Sequence, residues 1–187
     1  MDKEILEIHQ VTEELFNLPL EDYILTFDDG LYTQYKYINK LTEIDTRKIF
    51  FISTSIVCDG EQSKEHIQCD AAHEYFFRTG NAKHYMTWDQ IREISKLPNC
   101  EIGGHSHFHK DIGLFKSFAQ KLSFVRRDTE LMRDKLLSEL GYLPTSFCFP
   151  YNYTEYFYNC ILQKNGFTNL YGSNRLGVSC LPEPTKK

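Results

Sequence analysis

The chain has 187 residues, 41% of them hydrophobic and 14% aromatic, which is enough for one domain with a packed core. Its net charge of −5 and its lack of a basic run exclude a nucleic-acid partner, because that binding draws on clustered Lys and Arg. Six cysteines at 58, 69, 100, 148, 160 and 180 form no C-x-x-C pair, so they predict free thiols in a reducing compartment.

The first sixteen residues, MDKEILEIHQVTEELF, carry charges every few positions and contain no seven-residue apolar stretch. They read as neither a secretory signal nor a membrane span and predict a cytoplasmic protein. Strand candidates follow at DYILTF (22–27) and RKIFFIS (47–53), rich in β-branched and aromatic residues. The segment from Cys58 to Met86 is long and polar, holds His66, His73 and His84, and shows no clean periodicity. A connection of that length reads as an insertion, a binding loop or lid. Thr87 to Lys96 is a predicted helix with Thr87 as cap and Pro98 beyond its end. CEIGG (100–104) is the next strand.

Ser117 to Leu140 gives the clearest helix, with an apolar stripe at Phe118, Leu122, Val125, Met132, Leu136 and Leu140 and a stop at Gly141. SFCF (146–149) is a strand, Tyr153 to Lys164 a helix closed by Gly166, and Thr168 to Tyr171 a last short strand. The tail PEPTKK (182–187) is expected to be disordered. Strands alternating with helices imply a parallel α/β sheet or barrel, in which working groups gather at the carboxyl ends of the strands.

Two such ends carry chemistry. ILTFDDG puts Asp28 and Asp29 side by side after a strand, and adjacent carboxylates need a cation, a shared proton or open water. HSHFH (105–109) follows CEIGG, and its first and last histidines are four apart. Two imidazoles and one carboxylate make a common zinc site with a position open for water, which leaves the other carboxylate as a base. His107, between them, is expected to point away. At a third strand end Pro150 can orient a backbone N–H toward an oxyanion, and Tyr151 can wall a sugar pocket.

TFDDG, HSHFH and the FPY of 149–151, in this order, resemble the polysaccharide deacetylase family, also called the NodB-homology domain or carbohydrate esterase family 4. The resemblance covers about residues 23–177 and implies a deformed, incomplete (β/α) barrel, one domain over 1–187. It implies a metal-dependent hydrolase that removes the acetyl group from an amino sugar, with a surface-polysaccharide or glycan precursor as partner. One divalent ion is expected, zinc first, with cobalt, nickel or manganese as other occupants.

On that resemblance Asp28 is the general base, Asp29, His105 and His109 hold the metal, and the Tyr151 backbone N–H helps hold the oxyanion. Asn174 and Arg175, in NLYGSNRLG, are candidates for substrate binding together with Pro150. Two departures stand out. Many members carry an arginine where this chain has Cys148, and the carboxyl-terminal histidine that serves the family as general acid has no counterpart, since the last histidine is His109. The acid is then sought in His66, His73 or His84 of the insertion, or in Asp28 acting twice. A related amidase or deformylase, or a catalytically weak sugar-binding protein, are the alternative functions.

Overall fold

The structure, a computed structural model, describes residues 3–181. The tail expected to be disordered lies outside the described residues. Seven strands form one sheet: β1 Ile5–Ile8, β2 Ile24–Phe27, β3 Lys48–Ile52, β4 Cys100–Gly104, β5 Ser146–Cys148, β6 Asn169–Tyr171 and β7 Leu176–Gly177. Their order is β6-β5-β4-β3-β2-β1-β7, and every neighbouring pair is parallel. The sheet curls into a deformed, incomplete (β/α) barrel, as expected. Central β3, KIFFI, is buried at all five positions, the pattern of a parallel strand covered on both faces.

The predicted strands appear with trimmed ends, and β4 spans CEIGG as predicted. β1 was not predicted. Its ILEI alternates half-buried and buried residues, so Leu6 and Ile8 enter the core while Glu7 faces the other side. It lies between β2 and β7, and it carries the following His9 to the same rim as Asp28.

Two short helices, α1 Tyr32–Lys36 and α2 Ile38–Thr42, link β2 to β3. The insertion, read as a polar excursion, contains α3, Cys69–Thr79, stopped by Gly80 in the left-handed conformation at φ 72°. Its ends are tied to the barrel by isolated bridges, Cys58 with Thr87 and Leu31 with Tyr85. Helix α4, Trp88–Ile94, starts in a capping box in which the Thr87 hydroxyl and the Gln90 side chain satisfy each other's backbone N–H groups.

Helix α5, Phe118–Leu140, opens where the Ser117 hydroxyl accepts from the Gln120 N–H and closes at Gly141, φ 77°. Val125, Met132 and Leu136 of its stripe are fully buried, each contributing roughly 1.5–3 kcal/mol by leaving water. Phe118 is the exception, 61% exposed in the first turn, where its ring meets the edge of Phe157. The helix approaches β4 so closely that a Cβ at Gly104 would lie 2.6 Å from the Met132 sulfur. Helix α6, Tyr156–Lys164, begins three residues later than predicted, after a tight turn at Pro150–Asn152. All six cysteines are free, and no described helix is long and apolar enough to cross a membrane.

Candidate active site

The run ILTF ends β2 at the rim, and the chain reverses there through Asp29 (φ 72°) and Gly30 (φ 76°). A Cβ at Gly30 would also press on Ile52 at 3.2 Å, so the DDG turn needs its glycine for both conformation and space. From α1, the buried Gln34 amide donates to the backbone oxygens of Asp28 (2.6 Å) and His9 (2.7 Å), fixing the loops after β1 and β2 together.

The HSHFH loop leaves β4 through Ser106 (φ 66°) and His109 (φ 50°), and the His109 N–H donates to the Ser106 hydroxyl. Asp128 of α5 holds the loop from behind, accepting from the N–H groups of His107 and Phe108 at 2.9 Å each. Burial pushes the Asp128 carboxyl up to about 6 against the pull of those two donors. His107 points away from the cluster, as expected, with Nδ1 at 2.7 Å from the Thr54 hydroxyl.

Three imidazoles converge on one carboxylate oxygen. Asp29 Oδ1 lies 3.0 Å from His109 Nε2, 3.3 Å from His105 Nε2 and 3.5 Å from His73 Nε2, yet it makes no hydrogen bond of acceptable geometry. His105 Nδ1 sits 2.9 Å from the Cys148 carbonyl, which can only accept, so Nδ1 carries a proton and Nε2 is the nitrogen that faces Asp29; burial lowers this imidazole, but Asp29 and Asp28 outweigh it and raise it above its ordinary range. Burial would raise Asp29, but the neighbouring His109, with contacts from His105 and His73, holds it well below the usual carboxylate range.

Asp29, His105 and His109 offer ligand atoms within 4.8 Å of one another, all three residues buried. An orphaned, buried carboxylate oxygen facing imidazole nitrogens fits a divalent cation. Of the six described non-glycine residues with positive φ, five are in this region: Asp29, Ser106, His109, Tyr151 and Asn152. Such strained backbone persists where the surroundings over-determine it, as at a binding site.

Arg175 is placed elsewhere than a substrate-binding role requires. Its guanidinium is fully buried and grips Asp28 with two parallel bonds, Nη1 to Oδ1 and Nη2 to Oδ2, both 2.8 Å. Its remaining donors reach Thr26 (3.0 Å), Asn152 (3.2 Å) and the Gly172 carbonyl (3.2 Å), and Glu7 lies 3.3 Å away. This is the charge missing at Cys148, supplied instead from the approach to β7. Burial pushes the Cys148 thiol well above its usual range, with Asp28 adding to the shift; the thiol stays protonated and donates to Asp28 Oδ2 at 3.4 Å. Asp28 itself is lowered, because Arg175 outweighs its burial.

Asn174 is exposed and off the cleft wall, its side-chain oxygen accepting from the Gly172 N–H, and Pro150 is buried behind the wall. Tyr151 does line the cleft, 56% exposed, with its ring 5.0 Å from that of His109. The cleft has a volume of about 1210 Å3. Of the three insertion histidines, His66 is exposed and off the cleft, and His84 packs against Tyr75 away from it. His73 lines the cleft and stacks on His109 with centroids 4.6 Å apart.

Glu7 and His9, which follow from the unpredicted β1, also line the cleft. Their side chains and that of Asp28 come within 4.8 Å of one another, and His9 is 43% exposed to the cleft. The alternation I-L-E-I-H was the available signal.

No curated protein sequence matches the chain. Solved structures share the fold: IcaB from Ammonifex degensii (19% identity, TM-score 0.65, 97% of this chain and 88% of that one), a de-N-acetylase from Aggregatibacter actinomycetemcomitans (14%, 0.66, 94% and 93%) and the BpsB deacetylase domain from Bordetella bronchiseptica (14%, 0.64, 94% and 94%). The family profile described as polysaccharide deacetylase matches residues 18–170, and the chain therefore belongs to the polysaccharide deacetylase family.

Proposed function

We propose that this protein is a metal-dependent deacetylase that hydrolyses the N-acetyl group of an amino sugar in a glycan or glycan precursor. The observation that carries the reading is the Asp28 carboxylate, clamped by Arg175 beside the Asp29, His105 and His109 cluster at an open cleft. Asp29, His105 and His109 would hold a divalent cation, zinc first, which would supply a water of lowered pKa and polarise the acetyl carbonyl.

Arg175 keeps Asp28 ionised at neutral pH, so a proton acceptor stands ready for the attacking water. The low basicity of Asp28 also makes its protonated form quick to pass the proton on. The Tyr151 backbone, in its left-handed turn on the cleft wall, is the oxyanion donor of this reading. His9, beside Asp28 and Glu7, hands a proton to the leaving amine, the task left open by the missing carboxyl-terminal histidine. A cytoplasmic location, in keeping with six unpaired cysteines, would direct the enzyme to a precursor sugar rather than a finished polymer. The BpsB and Aggregatibacter proteins named above as deacetylases support the reaction type.

The reading is tested by metal content after dialysis against zinc, for the parent and for His105→Ala/His109→Ala, followed by acetate release from N-acetyl amino sugars. Metal that disappears with the two imidazoles, and acetate released only by the loaded parent, support it. Equal metal in both proteins overturns it.

A further inference from the structure

The exposed apolar side chains are not scattered over the surface. Of the nine large ones among the described residues, six come from two stretches: Phe108, Leu114 and Phe118 between β4 and the first turn of α5, and Tyr151, Tyr153 and Tyr156 up to the first residue of α6. The stretches touch. The Phe118 ring meets the edge of Phe157 at a centroid distance of 5.2 Å, and Lys121 pairs with Glu155 while standing over the Tyr153 ring. Single exposed apolar residues are ordinary, but a contiguous group of them marks an interaction surface.

The turn at the centre of this face is anchored from inside. Ile112 is buried, and the Asp111 carboxylate accepts from the Gly113 N–H at 2.7 Å, so the next residue, Leu114, is presented outward and is 80% exposed. A Cβ at Gly113 would lie 3.1 Å from the Tyr153 ring, which shows how closely the turn sits on the second stretch. The charge of the face is opposite to that of the chain. Residues 108–127 hold Lys110, Lys116, Lys121, Arg126 and Arg127 against one acidic residue, Asp111, in a chain of net charge −5. Lys110, Lys116, Arg126 and Arg127 are exposed, and none has an ion-pair partner among the described residues. An open groove of about 690 Å3 lies on the same face, lined by Leu114, Phe115 and Phe124 together with Lys116 and Arg127.

We infer that this face seats on an anionic lipid bilayer, with Leu114 and Phe118 among the acyl chains and Lys110, Lys116, Arg126 and Arg127 at the headgroup phosphates. Apolar tips ringed by unpaired cations are the complement of a bilayer interface, where hydrocarbon lies beneath negative charge. The long Lys and Arg stems let the charges stay at the phosphates while the apolar tips go deeper. An anionic polymer would answer only the cations, and a neutral glycan only the tyrosine rings. The contact is peripheral, since no described helix is long and apolar enough to cross a membrane. The patch also reaches the cleft: Phe108 precedes His109, and Tyr151 lines the cleft with its ring 5.0 Å from that of His109. A protein held by this face opens its cleft beside the lipid surface, toward a glycan carried on or leaving a membrane.

The inference does not rest on the deacetylase reading, and its test uses no sugar substrate. Flotation of the whole protein is measured with vesicles of phosphatidylcholine alone and of phosphatidylcholine with about one-third phosphatidylglycerol. The parent should bind the mixed vesicles at least about tenfold more tightly than the neutral ones, with the preference shrinking at high salt. Leu114→Ser/Phe118→Ser should weaken binding to the mixed vesicles by about tenfold or more, and Lys116→Gln/Arg127→Gln should lose the preference for them. Circular dichroism verifies folding, and Leu114→Ser alone serves if the double variant does not fold. A parent that stays in solution with both vesicle types, equal binding to the two, or unchanged binding in Leu114→Ser/Phe118→Ser overturns the inference. Capture by an insoluble glycan without vesicle binding overturns it too and assigns the face to sugar.

Discussion

Arg175 and Asp28, 147 residues apart in the chain, face each other in a two-pronged ion pair with both N···O distances at 2.8 Å. The pair is buried, and its geometry fixes the plane of the carboxylate as well as its charge. Removing one partner of a buried pair strands the other, so Arg175→Met is expected to cost about 3–5 kcal/mol in urea unfolding. Deacetylation by the folded variant should fall at least tenfold while zinc content stays at the parent level, because Arg175 touches none of the Asp29 donor groups. Arg175→Lys should restore charge without the second prong and recover part of the stability but little of the rate. Wild-type turnover in Arg175→Met would show that the clamp does not serve catalysis.

His9 is a cleft imidazole that stands beside Asp28 and Glu7, outside the group of Asp29, His105 and His109. If it protonates the leaving amine, His9→Gln lowers kcat by roughly 100-fold, with KM and metal content little changed. Steady-state kinetics beside metal analysis check this. A lost metal ion with the same fall in rate would reassign His9 to the metal centre.

Asp128 gives the metal-free protein a pH dependence of unusual sign. Its folded carboxyl is raised to about 6 from an ordinary 3.8, so the folded state keeps its proton over a range where the unfolded state has lost it. The contribution is therefore most favourable below about pH 4 and is lost as pH rises through about 6, a change of up to about 3 kcal/mol. Asp28 and Asp29, both lowered, act the other way: their contribution is present above the ordinary carboxylate range and lost as pH falls below it. Asp128→Asn cannot titrate, so the stability difference between parent and variant should shift toward the variant across that interval. A difference that stays constant from about pH 4 to pH 7 would contradict this account of the loop's anchor.

What the sequence made legible was local. Helix α5 could be read because its cap, stripe and stop are all contiguous, and β4 because CEIGG is a short apolar run between polar neighbours. DDG and HSHFH announced themselves as residue types whose proximity costs free energy without a cation. β1 was hidden because a four-residue strand with Glu7 inside it reads as part of a charged segment, and its identity is set by pairing with β2 and β7. α3 was hidden because Ala72 is its one buried residue, packed with the half-buried Phe76 beside Leu31 and Tyr85, while Cys69, Asp70 and His73 line the cleft and break the apolar period. Arg175 was read as a ligand-binding cation because nothing near it in sequence names Asp28 as its partner. That contact exists only once β7 has added to the edge of the sheet beside β1.

The most direct test of the central claim is acetate release from a panel of N-acetylated amino sugars and their oligomers by zinc-loaded parent and zinc-loaded Asp28→Asn, with metal content measured on the same samples. The account predicts acetate from the parent and at least 100-fold less from Asp28→Asn at equal metal occupancy, since the variant keeps Asp29, His105 and His109 but has no base. Equal release by the two proteins, or release by neither at full occupancy, would contradict it.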